Sequence, residues 1–573
     1  MGKVSRFSCG VLIIGAGASG LRAAIEAHDN GSDVLIVGKS KHGDAHTVLA
    51  TGGINAALAT TDHQDNWLIH AADTLKEGQF LADYKFVETL CKNAPAAVRE
   101  LLKWRARFAK DKKGKLIQRF FGAHTYRRTC FFGDQTGKEI MRVLLRQIEK
   151  RKIEVIDNIF ILHLVKDNNK INGAIGINLI NKDLVIINAK AVIVATGGHS
   201  RIYSVSSSRY YENLGDGISL SYELGCELMD MEMIQFHPTG MIYPRKMIGI
   251  LVTEAVRGEG GILLNRYNER FMEKYDPKRK ELSARDIVAR SIYNEIIHGR
   301  GTKHDGVWLD ISFKPALYIK KRLPKIYKQF ESVGIDITKQ KMEVAPTSHY
   351  SMGGIRTDLN GETNVRGLFA VGEATGDVHG ANRLGGNSLA ETVVYGRITG
   401  KAASQFAKRI KNKEISVEHL DKLFLKLNNL ISIKGKINPN KIKEEAQIIM
   451  WKYAGIIRER RTLENGLNKL QQLKKKLKKV RIKSMVDIID FFDARNVVLV
   501  SEIVIKSALV RKESRGAHYR SDFPRQSKRW LKHIIFRNIN GKMRQYFKKI
   551  PSIKGKLAKV VKQQLGTKYH LLE

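Results

Sequence analysis

Cysteine is scarce in this chain. The 573 residues hold four, at Cys9, Cys91, Cys130 and Cys226, and none forms a C-x-x-C pair. That spacing excludes a disulfide framework, a zinc site and an iron–sulfur cluster housed within the chain. Electrons leaving by an iron–sulfur route would need a second subunit. Long apolar runs are also lacking. No window of about 18 apolar residues occurs, so no membrane-crossing helix is expected. The first ten residues lead straight into an apolar strand, which leaves no room for a leader, and the chain is expected to stay in the cytoplasm. Acidic charge is in short supply: 57 Asp and Glu face 99 Lys and Arg, for a formal net charge of +42. The excess is concentrated late, with roughly 43 basic against roughly 14 acidic residues over 401–573. The aromatic-interleaved basic motifs of nucleic-acid modules are missing, so no nucleic-acid partner is expected. A lysine-biased solvated surface is the first reading, and an anionic membrane or acidic partner the second.

What is present is organised around Val11 to Ala24, VLIIGAGASGLRAA. Four apolar residues read as a buried strand that runs into Gly15, Gly17 and Gly20, and a helix-forming segment follows. Gly15 permits the turn, Gly17 lets the backbone approach a pyrophosphate, and Gly20 lets the helix pack close to the strand. The helix N-terminus directs free N–H groups and partial positive charge at the phosphates. A second strand, Asp33 to Val37, ends in Gly38-Lys39 where the plain fingerprint has a ribose-binding acid. The length implies more than one domain, and the 43% hydrophobic share is that of a globular protein.

Further along, small residues around Gly52-Gly53 allow a flat ligand to lie against the backbone, and His46 carries a nucleophilic imidazole. Residues 65–105 read as helical, and Phe120 to Gly137 as loop. Strands are expected at Glu154 to Ile156, Ile159 to Val165, Ala174 to Leu179 and Leu184 to Ile187. AVIVATGG is another buried strand, ending at Ala195, Thr196 and Gly197. Asp216 opens a helix, as an N-cap or as a ligand. In QFHPTG, His237 precedes Pro238 and is held extended. Thr253, Glu254 and Arg257 follow, the last two sharing a face if the turn is helical. Arg285 leads a helix, His349 sits on a glycine-rich approach, and Glu373 ends a strand in position for a ribose hydroxyl. Arg383 precedes a helix opening at Asn387-Ser388-Leu389, whose N-terminus suits developing negative charge. Beyond Ser404 the chain reads as helical and basic, with Glu444 to Arg461 and Leu463 to Lys479 as long amphipathic candidates.

Taken together, H-T-V-x-A-x-G-G (His46 to Gly53) after a glycine-rich βαβ start resembles the flavoprotein subunits of succinate dehydrogenase and fumarate reductase. Ser514-Arg515-Gly516-Ala517-His518, with Arg520, Asp522 and Pro524, is similar to that family's C-terminal motif. The resemblance covers nearly the whole chain. It implies an α/β fold: a Rossmann-like FAD-binding domain (1–230 and 346–403) with an inserted α+β capping domain (231–345), then a helical domain (404–510) and a basic C-terminal domain (511–573). It implies FAD held by Gly15, Gly17, Ala18, Gly20, Lys39, His46, Thr47, Gly52, Gly53, Ala195, Thr196, Gly197, Asp216, Glu373, Ser388 and Leu389, with a covalent link at His46. Lys39 fits the Ser-Lys type of pair that the family places after its second strand.

The resemblance further implies that His237, Thr253, His349 and Arg383 bind the two carboxylates of succinate or fumarate, arginine suiting a carboxylate by its two-pronged fork. Arg285, with Glu254 and Arg257, matches the family's proton relay. The implied partners are an iron–sulfur subunit with a membrane anchor and, indirectly, a quinone, at the cytoplasmic face of the cell membrane; no metal is expected in the chain itself. L-Aspartate oxidase shares the fold and is the nearest rival. It lacks the flavin-linking histidine and uses a glutamate where this chain has Phe121. A basic binding protein that kept the fold and lost the chemistry is the rival of another class.

Overall fold

The computed structural model describes residues 3–411, 413–433 and 435–566. Val11 to Ile14 are buried and pair in parallel with two strands, Ile14 standing opposite both Val37 and Val194. The sheet runs in the order Glu154–Ile156, Val34–Val37, Val4–Ile14, Leu184–Val194, Lys170–Asn178, Ile159–Asp167, and Leu368–Ala370 also pairs with Leu184–Val194. Its parallel strands are near-continuous apolar runs because both faces are covered. Two glycines close the first turn. Gly15 has φ +118°, and a Cβ there would meet the Ala195 carbonyl oxygen at 2.2 Å; a Cβ on Gly20 would meet the Gly15 oxygen at 2.0 Å. The helix Ala18–Asp29 therefore lies directly on the strand, as the spacing predicts.

A second, antiparallel sheet has the order Ile234–Met241, Met342–Ser351, Val307–Asp310, Ile262–Leu264. It has its own core, including Met241, Leu263, Val288, Ile292, Leu309 and Phe330. The strand Met342–Ser351 belongs to this sheet and carries His349 back to the first.

Three sequence expectations need correction. The segment Phe120 to Gly137 is not all loop: Gln118–Arg119 and Thr129–Cys130 form a small sheet with Ile54–Asn55, and a helix starts at Thr136. The two helices expected at Glu444 to Arg461 and Leu463 to Lys479 are present with earlier bounds, Pro439–Tyr453 and Arg460–Lys476, and a short strand Ile457–Arg458 takes the end of the first. The chain leaves the helix there because buried Arg458 donates to the Gly455 and Glu232 carbonyls and contacts His518. Asp216 is not a side-chain cap: Gly215 holds the cap position at φ 80°, and Asp216 is the first helical residue.

The helix Met485–Val510 is buried along most of its length. The C-terminal hairpin Lys532–Ile539/Lys542–Lys549 pairs its first strand with Glu227–Met229. Among the described residues no helix is long and apolar enough to cross a membrane, and no cluster of His, Cys, Asp or Glu could hold a metal ion.

Candidate active site

One cleft opens between the carboxyl ends of the parallel strands and the second sheet, the expected place for a ligand in an open α/β sheet. The open space along it is about 1870 Å³ with its solvent-filled mouth counted in. Its wall includes Gly15, Gly17, Ala18, Lys39, His46, Thr47, Gly52, Gly53, Ala195, Thr196, Gly197, Asp216, Glu373, Ser388 and Leu389, together with His237, Thr253, Glu254, Arg285, His349 and Arg383. Two residues of the expected set lie behind the wall. Gly20 packs under the first turn, and Arg257 is buried, its Nη1 donating to the Glu281 carbonyl at 2.6 Å.

At the glycine turn, Thr47 Oγ1 accepts from the Ala18 N–H at 3.3 Å. This fixes the short 3₁₀ turn His46–Leu49 against the helix N-terminus. His46 Nδ1 stands 3.4 Å from Glu212 Oε2, outside hydrogen-bonding alignment. Burial pushes its pKa down, but the Glu212 carboxylate outweighs burial and the net shift is upward. Glu373 accepts from the Ser351 N–H at 3.0 Å, and burial raises its pKa to about 7 despite His46 nearby. Lys39 Nζ reaches Asp493 at 2.9 Å and Asp216 at 3.2 Å. Asn496 donates to the other oxygen of Asp216 at 3.1 Å. Thr196 Oγ1 and His46 Nδ1 are buried without hydrogen-bond partners. The turn, the helix N-terminus and these unpaired groups fit a bound dinucleotide.

The other end of the cleft is built on an amide. Gln235 Nε2 donates to Asn382 Oδ1 (2.8 Å) and to the Arg383 carbonyl (2.9 Å). Asn382 Nδ2 donates in turn to Glu77 (2.7 Å) and Asp286 (3.0 Å). With both amide donors committed, Gln235 Oε1 must face inward. It accepts from Arg285 Nη1 at 3.1 Å and Arg383 Nη2 at 3.0 Å. Two guanidiniums are thus held side by side by a neutral oxygen, and Arg383, with no carboxylate partner among the described residues, keeps its charge for an anionic ligand. Burial and the neighbouring Arg285 lower the Arg383 pKa to about 10, still cationic at neutral pH.

Arg285 also grips Glu254 Oε2 through Nε (2.9 Å) and Nη2 (2.7 Å), and the Gly122 N–H donates to Glu254 Oε1. Burial opposes ionisation, yet Arg285 and then Arg257 hold the Glu254 pKa at about 2. Arg257 acts on it through the field and not by direct pairing. His237 and His349 meet edge to face at 5.3 Å. Burial and adjacent arginines (for His349, His237 as well) keep both far below the usual imidazole pKa, hence neutral. His237 Nδ1 stands 3.1 Å from the Thr239 carbonyl oxygen and 3.2 Å from the Thr239 nitrogen, which fixes the ring from that side. Ser207 Oγ lies 2.8 Å from His349 Nδ1. Phe121 lines the same region beside Gly52 and Gly385.

Sequence reasoning missed Gln235, Asn382, Ser207 and Asp493. Gln235 alone carried a signal, as the first residue of QFHPTG; the others come from segments far apart in the chain.

Known proteins resemble this chain over most of its length. Residues 10–389 match the family model described as an FAD binding domain, and residues 443–560 match that described as the fumarate reductase flavoprotein C-term. In the fumarate reductase (CoM/CoB) of Methanothermobacter marburgensis, one subunit is 42% identical over 546 residues, covering 94% of this chain and 98% of that protein. The succinate dehydrogenase flavoprotein subunit of Rickettsia bellii is 36% identical over 554 residues, 92% of each. Among solved structures, E. coli quinol fumarate reductase superposes with a TM-score of 0.91 at 33% identity, covering 96% of this chain and 98% of that one.

Proposed function

The chain belongs to the FAD-binding flavoprotein family of succinate dehydrogenase and fumarate reductase subunits, and from that premise we propose that it interconverts succinate and fumarate. The observation that carries this reading is the pair Arg285 and Arg383 bridged by Gln235 Oε1, facing two neutral histidines. Arg383, His349, His237 and Thr253 would hold the two carboxylates of a short diacid. Clamping both ends orients the central C–C bond, and orientation of this kind is a large source of rate.

The residues around the glycine turn, with Lys39, Asp216, Glu373, Ser388 and Leu389, would hold FAD, and His46 is the residue proposed to carry it covalently. When bound, FAD supplies hydride exchange with a substrate carbon. Arg285 then moves the proton at the adjacent carbon. An arginine is a poor acid in water; here its partner changes with it. Once Arg285 gives up its proton, the charge that keeps Glu254 acidic is gone, Glu254 gains proton affinity, and it is within hydrogen-bond reach to hand a proton back to Arg285. Arg257 tunes Glu254 from behind.

Electrons leave through a separate iron–sulfur subunit, since this chain's cysteines are scattered and buried. The reading places the chain peripherally on a membrane anchor with a quinone beyond, on the cytoplasmic side. A thiol couple is the second reading for the electron partner, favoured by the 42% identity to a fumarate reductase named for CoM and CoB against 36% to the Rickettsia protein. Turnover tests the proposal: reduced-viologen oxidation driven by fumarate, or dye reduction driven by succinate. Turnover with L-aspartate and with neither diacid would overturn it in favour of aspartate oxidase, against which Phe121 argues because it offers a substrate ammonium no carboxylate.

A further inference from the structure

Behind the glycine turn, charges of alternating sign run from the cleft into the helical region. Asp216 and Lys39 line the cleft. Asp493, on the helix Met485–Val510, does not line it, is fully buried, and reaches Lys39 Nζ at 2.9 Å. Behind Asp493 stands Lys443, on the helix Pro439–Tyr453, also fully buried, with its Nζ 3.8 Å from Asp493 and 3.9 Å from Asp490. Lys443 Nζ and Asp493 Oδ2 make no hydrogen bonds, and Lys443 Nζ lies 4.4 Å from the Tyr210 ring centroid.

The strand end that ordinarily carries a ribose-binding acid carries Lys39 instead. Without Asp493, Asp216 would be the carboxylate on which Lys39 Nζ settles. Asp493 draws it the other way at the shorter distance, while Asn496 holds the remaining oxygen of Asp216. Both residues that orient this part of the cleft therefore come from one helix of the helical region. A buried charge stripped of its partner is strongly destabilising, so this chain of charges stands or falls as a unit.

We infer that Asp493 is a positioning residue for FAD, acting through Lys39, so that cofactor binding and docking of the helices Pro439–Tyr453 and Met485–Val510 are coupled. The inference rests on the FAD reading of the cleft. It concerns affinity, not turnover.

The test is a double-mutant cycle on FAD affinity. All variants are made in the full chain carrying His46→Ala, so that binding is reversible whatever His46 does in the native chain. Asp493→Asn is expected to weaken FAD binding at least tenfold, measured by fluorescence quenching. Asp493→Glu, which keeps the charge, is expected to stay within about threefold of the parent. In a Lys39→Met background, Asp493→Asn is expected to add nothing. Unchanged affinity in Asp493→Asn, or a loss that simply adds to that of Lys39→Met, overturns the coupling. Absence of flavin from the chain without any substitution overturns the cofactor reading itself, a separate result. Hydrogen exchange on the chain without these substitutions needs no variant: FAD is expected to slow exchange in 439–453 and 485–510, and equal exchange in the apo and loaded chain contradicts the inference.

Discussion

Replacing Arg285 by glutamine isolates the proton step. The guanidinium makes three hydrogen bonds, two to Glu254 and one to Gln235. Glutamine keeps a donor and loses the charge and the fork. Glu254, with its side chain 6% exposed, then sits buried with Arg257's field and the Gly122 N–H as its remaining support. Its pKa in the native chain is about 2 against an ordinary 4.5, and about 1.4 kcal/mol accompanies each unit. The pair therefore contributes up to about 3 kcal/mol, in line with the loss of a buried ion-pair partner. Because the folded pKa is depressed, that stability is present above pH 4.5 and is lost as pH falls toward 2. Arg285→Gln should lower the melting temperature at pH 7, and the gap to wild type should close as pH drops through that window. Catalysis should fall further than stability, because a positioned acid is worth about 10²–10⁴ in rate and the substrate loses one cation as well. A drop in kcat of about 10³ or more is expected, with flavin content unchanged, from succinate–dye and viologen–fumarate assays alongside the flavin absorbance ratio. Arg285→Lys keeps the charge without the fork and should fall between. More than a tenth of wild-type kcat in Arg285→Gln would refute the assignment of the proton to this residue.

Other perturbations test the supporting parts. Gln235→Glu places a carboxylate between the two guanidiniums, and the KM for fumarate should rise at least tenfold, by about 1.4 kcal/mol or more, with a smaller change in kcat. Glu77 is raised to about 8 by burial and by Asp286; a carboxyl raised on folding contributes stability that is full below pH 4.5 and is lost as pH climbs to 8. Glu77→Gln should therefore gain on wild type in urea melts as pH rises through that range, by up to about 4 kcal/mol at pH 8, and a pH-independent difference would count against the buried acid. Gly20→Val drives a side chain into the Gly15 carbonyl and should yield chain without flavin.

Much of the architecture was legible because it rests on local rules. The turn Gly15 to Gly20 needs residues without side chains wherever it occurs, and the buried parallel strands announce themselves as apolar runs. The candidate ligands were legible through short motifs, each of which keeps its side chains on one element. What stayed hidden depends on meetings between distant segments. Gln235 faces inward only because Asn382 and the Arg383 carbonyl take its amide hydrogens. Asp493 matters only because its helix is laid against the second strand's end. The helix Met485–Val510 is apolar nearly all round, since it is buried on most sides, and so it lacks the amphipathic stripe that marks a surface helix. The break at Ala454-Gly455 had a local signal in its glycine, whereas the strand that follows depends on where the Arg458 guanidinium goes.

The most direct measurement is an anaerobic titration of the purified, flavin-loaded chain alone, with absorbance near 450 nm as the readout (roughly the oxidised flavin band). Succinate should bleach it and fumarate should restore it, with L-aspartate inert. Bleaching by L-aspartate while succinate and fumarate leave the spectrum unchanged would contradict the dicarboxylate reading at its centre.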